Sequence, residues 1–347
     1  MRAVVFEEFG RLPEVREVPV PVAPPGGVVV RVEATGLCRS DWHGWLGHDD
    51  TIALPHVPGH EFAGRVAEVG PGVTGRRVGD RVTAPFVCAC GSCAACACGD
   101  QQVCERQEQP GFTYWGSFAQ YVVVPRAEVN LVRLPDDMAF TTAASLGCRF
   151  ATAYRAVVAQ GRVRPGEWVA VLGCGGVGLS AVMIAAACGA RVVAVDTSDR
   201  ALELARQFGA AVCVPAARDG AGTADAVRAA TGGGAHLSLD ALGSPATCAA
   251  SVAGLRRRGR HVQVGLLPAG GVAVPMDRVV ALELELLGSH GMPAHAYPEM
   301  MRLVAAGTLR PGLLVGSVIG LDATPAALAA LSDGSGAGVT VIEPGRP

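Results

Sequence analysis

Lysine never occurs in this chain of 347 residues; all 29 basic side chains are arginine. That absence removes Schiff-base catalysis, a lysine general base and the lysine of a phosphate-binding loop before any motif is considered. Charge is also scarce. Only 17% of residues are charged and the net charge is -2, so no basic field exists for nucleic acid or an anionic membrane surface. Nowhere does an apolar run reach the ~18 residues that a spanning helix requires. Acidic residues arrive at Glu7 and Glu8, too early for a signal peptide, which gives the expectation of a cytoplasmic protein.

What is present fills two ordinary domains, at roughly 150 residues each. Half the residues are hydrophobic, enough for a sizeable core. Residues 1 to about 150 are β-rich and turn-rich. Short apolar or alternating runs at 2–6, 28–33, 61–69, 81–84 and 121–124 are separated by Gly and Pro clusters, and predict an irregular antiparallel barrel or sandwich. A helix is expected over 152–160. From residue 167 the texture becomes strand–helix alternation, with strands at 168–172, 191–195, 211–214, 236–240, 260–264 and 284–288. Such alternation implies right-handed crossovers and a parallel sheet covered on both faces. The tail, 289–347, has one helix near 298–306 and short strands at 313–319 and 339–342. It is too small for its own core and should return to the first domain.

Gly173-Cys174-Gly175-Gly176-Val177-Gly178 satisfies G-x-G-x-x-G. With 46 glycines in the chain, chance matches are common. Its context raises the signal: it follows an apolar strand and opens a helix, where backbone amides can face a pyrophosphate. Asp196 ends the next strand, about 20 residues further on, where a carboxylate accepts ribose hydroxyls and repels a 2′-phosphate. NAD is therefore expected over NADP. The bland reading is a glycine-rich turn with a surface aspartate.

Six of the twelve cysteines fall between positions 88 and 104. Cys90, Cys93, Cys96 and Cys104 have the spacing that lets one loop surround a tetrahedral ion with four thiolates and no open position, a structural site. Cys88 and Cys98 lie in the same stretch and leave the register ambiguous. A catalytic zinc instead needs about three ligands and one open position. Cys38, His60 and Cys148 are candidates, the last at the boundary between the two textures, where a cleft could bring metal and nicotinamide together. Each alone has an ordinary reading as a core cysteine or a hydrogen-bonded histidine. His48 and His56 are expected as loop or surface histidines, and Trp42, Trp45 and Trp115 as packing residues.

Taken together, Gly36-Leu37-Cys38-Arg39-Ser40-Asp41-Trp42-His43, Gly59-His60-Glu61, the four-cysteine loop, Leu146-Gly147-Cys148 and the glycine turn with Asp196 have a familiar order and separation. Over essentially its whole length the chain resembles the zinc-dependent alcohol dehydrogenases of the medium-chain dehydrogenase/reductase superfamily. The resemblance implies a GroES-like catalytic domain over 1–150 with a structural-zinc lobe at about 88–105. It further implies a six-stranded Rossmann domain over 151–288 and a C-terminal segment, 289–347, that returns to the catalytic domain. It also implies Cys38, His60 and Cys148 as catalytic zinc ligands and two zinc ions per chain. Ser40 and His43 would form a proton relay, and Asp41 and Glu61 would be carboxylates beside the metal. Arg39 would reach the cofactor pyrophosphate, Phe86 would wall the substrate pocket, and Val264, Gly265 and Leu266 would hold the nicotinamide. The expected activity is reversible oxidation of an alcohol to an aldehyde or ketone, in a homodimer or homotetramer. The alternatives are a polyol or other zinc dehydrogenase of the superfamily, a zinc-free reductase of the same fold and, from a different class, a zinc-stabilised redox sensor.

Overall fold

The computed structural model describes residues 1–217, 219–268, 270–333 and 338–346. The expected C-terminal segment is thus described except at 334–337 and 347. The chain divides into two compact units. One comprises Met1–Ala151, Gly291–Arg302 and Arg310–Pro347, and the other Thr152–His290 and Leu303–Leu309.

In the first unit a ten-residue strand, Val28–Leu37, is the organising element. It pairs antiparallel with Glu61–Val69, with Tyr121–Val124 and with Val339–Ile342. Arg81–Thr83 and Val132–Arg133 extend the sheet on one side. On the other side Val315–Ile319 joins Val339–Ile342 in parallel, so the sheet is mixed rather than purely antiparallel. The apolar run of the central strand predicts its first six residues. It continues to Leu37 because Ala34–Leu37 finds partners in residues 61–63 and 340–342, which are remote in sequence. Phe62, Val66, Val82 and Val122 bury one face of this sheet. Fully burying side chains of this size stabilises by about 1.5–3 kcal/mol each.

Register now does structural work. Gly36 lies opposite Glu61, so the antiparallel count sets His60 across from Leu37 and beside Cys38. Residues far apart in sequence meet because one strand pair cannot slip without exchanging its buried and exposed faces.

The second unit carries a six-stranded, all-parallel sheet. Its order is Ala210–Pro215, Arg191–Asp196, Trp168–Leu172, Ala235–Asp240, Leu255–Gln263, Glu285–Gly288. In sequence rank that is 3-2-1-4-5-6, the doubly wound arrangement that turns around its first strand. Trp168–Leu172 is buried at every residue, as a central strand covered on both faces must be. The helix Gly176–Ala187 is apolar on all sides because it too is buried, from Gly178 to Ala185. The expected fifth strand begins earlier, at Leu255, because the Arg256–Gly259 segment bulges between two paired stretches. The helix expected over 152–160 is an α-turn at Ala151–Tyr154 that relaxes into a π-turn at Arg155–Gln160.

The turn after Trp168–Leu172 is held by close backbone approach. Gly173 has φ +90°, and a Cβ on Gly178 would lie 1.7 Å from the Gly173 carbonyl oxygen. Gly178→Ala is therefore expected to force strand and helix apart, at a cost of about 1–3 kcal/mol. Chemical denaturation should show a lower unfolding free energy, and an unchanged midpoint would contradict the close-approach argument.

Candidate functional site

The Asp41 carboxylate sits at the start of the helix Arg39–Trp45 and is 1% exposed. It accepts three hydrogen bonds: from the Cys38 backbone N–H at 2.9 Å, the Gly59 N–H at 3.1 Å and His60 Nδ1 at 2.9 Å. With Nδ1 donating to Asp41, Nε2 is the remaining nitrogen of the fully buried His60 ring. It has no hydrogen-bond partner among the described residues. Burial opposes charge on this ring, but the adjacent Asp41 carboxylate overrides it and holds the His60 pKa well above the ordinary value.

Ligand atoms of Cys38, His60, Glu61 and Cys148 all lie within 4.8 Å of one another. Cys148 arrives on a π-helical turn, Leu146–Phe150, that packs against the strand beginning at Glu61. Such π-turns recur at functional sites because the extra residue re-aims a side chain. Tyr297, fully buried, donates its hydroxyl to the Leu146 carbonyl at 3.1 Å and fixes that turn. The Cys38 thiol is held well below its usual pKa. The hydrogen bond shared with Cys148 is the main cause; burial opposes it, and the Arg149 charge adds to it. Two thiols, one of them acidified, and an unpartnered imidazole nitrogen converge on one buried point, a donor set that suits zinc with a position left over.

Glu61 does not point into this cluster unopposed. Its carboxylate, fully buried, is forked by Arg149, whose Nε lies 2.9 and 3.0 Å from the two oxygens and whose Nη2 makes a further contact. The Arg149 backbone N–H donates to the same carboxylate at 3.0 Å, and its Nη1 donates to the Leu37 carbonyl at 3.0 Å. Burial raises the Glu61 pKa and the Arg149 charge pulls it back. Gly36 makes room, since a Cβ there would lie 2.4 Å from Glu61 Oε2 and 2.7 Å from Arg149 Nη2. Arg149 and Tyr297 escaped the sequence reading. An arginine directly after a candidate ligand cysteine was the available signal for the first; nothing local marked the second.

Around the cluster, Phe86 and Phe112 stand edge-on to the His60 ring, with centroids 6.2 and 5.5 Å away. Phe112 was not anticipated. Ser40 Oγ lies 3.8 Å from Cys38 Sγ. On the same helix, His43 Nδ1 is 3.0 Å from Nδ1 of His48, so His48 is in contact with the relay candidate. Arg39 stacks over the Trp42 ring at 4.2 Å and bonds the Leu331 carbonyl. Trp42 thereby gains a packing role. His56 lies in a loop, one of the two alternatives expected of it, but not at the surface: it is 2% exposed, because its backbone bridges to Phe6 and its ring packs edge-on against that phenyl.

In the cysteine loop, Cys90, Cys93, Cys96 and Cys104 form the second group whose sulfurs lie within 4.8 Å of one another. Backbone N–H groups of Cys90 and Arg106 donate to Cys104 Sγ at 3.2 and 3.3 Å, and that of Ser92 to Cys90 Sγ at 3.4 Å. The Ser92 backbone N–H is the main cause that lowers the Cys90 pKa to about 5; burial opposes it, and the Ser92 hydroxyl and the Cys104 thiol add to it. Cys88 lies outside the group, accepting from the Tyr114 hydroxyl at 3.6 Å, and Cys98 is exposed. The four sulfurs that lie together are thus those of Cys90, Cys93, Cys96 and Cys104, not of Cys88 or Cys98.

In the second unit, the Asp196 carboxylate accepts from Cys174 N–H at 2.6 Å and Ser198 N–H at 2.8 Å, tying the strand end to the glycine turn. Gly175 caps the helix that begins at Gly176 and Val177. Val264 and Gly265 donate backbone N–H groups to the Asp240 carbonyl, and the following Leu266 is exposed. Asp240 is fully buried, and its carboxylate binds Leu242 N–H, Gly243 N–H and Gln263 Nε2, each at 3.0 Å. It too was missed, being one aspartate among many at a strand end. No helix among the described residues is long and apolar enough to cross a membrane.

A 3-2-1-4-5-6 parallel sheet with a glycine turn, together with a β-domain carrying two sulfur-rich groups that could hold a metal ion, points to a zinc-type dehydrogenase. The alcohol dehydrogenase GroES-like domain family matches residues 24–136, and the zinc-binding dehydrogenase family matches residues 176–306. An alcohol dehydrogenase of Geobacillus stearothermophilus is 38% identical over 315 residues, 89% of this chain and 90% of that protein. An NAD-dependent alcohol dehydrogenase of Sulfurisphaera tokodaii is 32% identical over 321 residues, 90% of this chain and 91% of that one. The solved structure of an alcohol dehydrogenase from Thermus sp. ATN1 matches with a TM-score of 0.90 at 33% identity, covering 99% of both chains. The chain belongs to the zinc-binding alcohol dehydrogenases of the medium-chain superfamily and is an oxidoreductase.

Arg149→Met should leave a buried, unpaired Glu61 carboxylate and cost about 3–5 kcal/mol. In a Glu61→Gln background the same change should cost much less, since no buried charge remains. Urea denaturation of the four proteins gives the coupling directly, and equal costs in both backgrounds would rule out the ion pair as the cause.

Proposed function

We propose that the chain oxidises an alcohol reversibly to an aldehyde or ketone with NAD, and that it holds two zinc ions. Cys38, His60 and Cys148 hold the catalytic ion; Cys90, Cys93, Cys96 and Cys104 hold the structural one. The observation that carries this reading is the buried, partnerless Nε2 of His60 facing two thiols while Nδ1 is committed to Asp41. An unpaired buried nitrogen of this kind is costly unless something coordinates it. A zinc ion there would supply Lewis-acid charge that lowers the pKa of an alcohol, and a bound nicotinamide would supply the hydride acceptor.

The protein's own groups do the rest. Asp41 orients His60 and fixes its tautomer. Ser40 takes the substrate hydroxyl proton and His43 receives it for release. Burial, with Arg39 and His48 nearby, lowers the His43 pKa, so it is neutral and able to accept a proton near neutral pH. Phe86 and Phe112 exclude water beside His60. Arg149 keeps Glu61 engaged and the fourth position open. Gly173–Gly178 receives the coenzyme pyrophosphate with Arg39, and Val264, Gly265 and Leu266 hold the nicotinamide. Asp196, pinned between two backbone amides, takes the ribose hydroxyls and disfavours a 2′-phosphate. A homodimer or homotetramer paired through the nucleotide units is supported by the edge strand Glu285–Gly288, whose outer side has no strand partner among the described residues.

Metal analysis of wild type should give two zincs per chain, and Cys148→Ala one, with alcohol-dependent NADH formation abolished and the fold retained. Two zincs or full activity in that variant would refute the ligand assignment. Asp196→Ala should narrow the preference for NAD over NADP in kcat/KM; unchanged selectivity would mean that another residue reads the ribose. His43→Gln should slow alcohol oxidation by roughly 10²-fold or more, with partial rescue by added imidazole. An unaltered rate would exclude His43 from the relay.

A further inference from the structure

The strands of the parallel sheet run toward the glycine turn at one end, and the opposite end is chemically unusual. Around the starts of those strands lies a concave pocket of about 450 Å³, within the range of small-ligand sites. Arg164, Arg256, Arg257, Arg258 and Arg260 line it, with only Glu167 and Glu285 opposing them. Five cations against two anions is a local excess of positive charge on a chain whose net charge is -2.

Three details show that internal partners do not satisfy this pocket. Arg260 is 9% exposed and pairs with Glu167 at 2.6 Å, yet its Nε has no partner among the described residues. The side chains of Arg164 and Arg257 likewise make no ion pair or hydrogen bond with any described residue. His236 is the sharpest case. The Trp168 backbone N–H can only donate, so His236 Nδ1, 3.0 Å away, must accept. A neutral imidazole has one acceptor nitrogen, so Nε2 carries the proton and can also only donate. Facing it at 2.8 Å is Arg256 Nη1, another obligate donor. Two donors pointing at each other call for an acceptor to take both protons.

Backbone strain collects in the same place. Of the four non-glycine residues with left-handed φ among the described residues, three border this pocket: Arg162 at 49°, Arg258 at 60° and Glu283 at 48°. Arg162 gives its carbonyl to Arg260 and pairs with the lining Glu285; Glu283 pairs with Arg258 at 2.9 Å. Strain of this kind persists where surrounding structure enforces it, and it clusters at binding and active sites.

We propose that this pocket is a second ligand site, for a small polyanion bearing two or more phosphate groups, at the end of the sheet opposite the coenzyme turn. Guanidinium forks suit phosphate oxygens geometrically and electrostatically. A phosphate seated between Arg256 and His236 removes the donor–donor opposition, and Arg164 and Arg257 supply free cations at the exposed mouth.

The probe is inorganic pyrophosphate, titrated calorimetrically into the full-length zinc-loaded protein, with and without saturating NADH, at constant ionic strength. The comparison is with an Arg164→Ser/Arg257→Ser variant, whose two changes are exposed and lie outside the catalytic machinery. Saturable binding of one pyrophosphate per chain is expected, unaffected by NADH and weakened about tenfold or more in the variant. Displacement by NADH would assign the anion to the coenzyme turn and overturn the proposal. Absence of saturable binding, equal affinity in the variant, or the same response to chloride would overturn it as well. Because the variant comparison also holds without NADH, it decides the matter even if the protein does not use NAD.

Discussion

The catalytic unit depends on one carboxylate. Asp41 gathers three donors from two segments, the strand end at Cys38 and the loop at Gly59-His60, and binds each within 3.1 Å. None of these partners is close to it in the extended chain except Cys38. Hydrogen bonds to a charged acceptor are roughly twice as strong as neutral ones. Here they also settle a tautomer, and with it which nitrogen of His60 faces the thiols. Without Asp41 the imidazole could turn, and the convergence of two sulfurs on Nε2 would be lost while every ligand remained present.

A second charged clamp works on the same cluster from the other side. Arg149 joins the π-turn of Cys148, the side chain of Glu61 and the carbonyl of Leu37, which immediately precedes Cys38. One side chain thus bridges the segments that carry the two cysteines. The pair is buried, so its Coulomb attraction has first to offset desolvation, and its net contribution to stability is small. Its value lies in geometry. A carboxylate within 4.8 Å of three candidate ligands would close the site if it were free, and the guanidinium occupies both of its oxygens.

The legibility of these features from sequence follows their separation along the chain. The cysteine loop is compact, so spacing alone singled out the four cysteines whose sulfurs lie together, although it could not exclude Cys88 or Cys98. The parallel sheet was legible because short strand-like stretches alternate with helical segments, and because Trp168–Leu172 is apolar and buried throughout. What spacing could not carry was strand register. The meeting of Cys38 with His60 requires Gly36 opposite Glu61, and the Arg149 clamp requires that register together with the π-turn. Residues 34–37 fell outside the apolar run, and their strand partners are remote. The burial of His56 escaped for a related reason: it comes from a bridge to Phe6, fifty residues earlier.

The two groups of sulfurs also differ in what surrounds them. In the cysteine loop, backbone amides of Cys90, Ser92 and Arg106 point at the sulfurs, joined by the Arg106 guanidinium, so one short segment folds around its own thiols. Such a site is closed and self-supporting. Around Cys38 and Cys148 the surroundings come from side chains on distant elements, chiefly the neighbouring thiol and the Arg149 charge. Amide donors are fixed by the backbone, whereas side chains can adjust when charge develops on a bound substrate. A site that must change charge during turnover is better held the second way, and a site that must only hold a lobe together is better held the first.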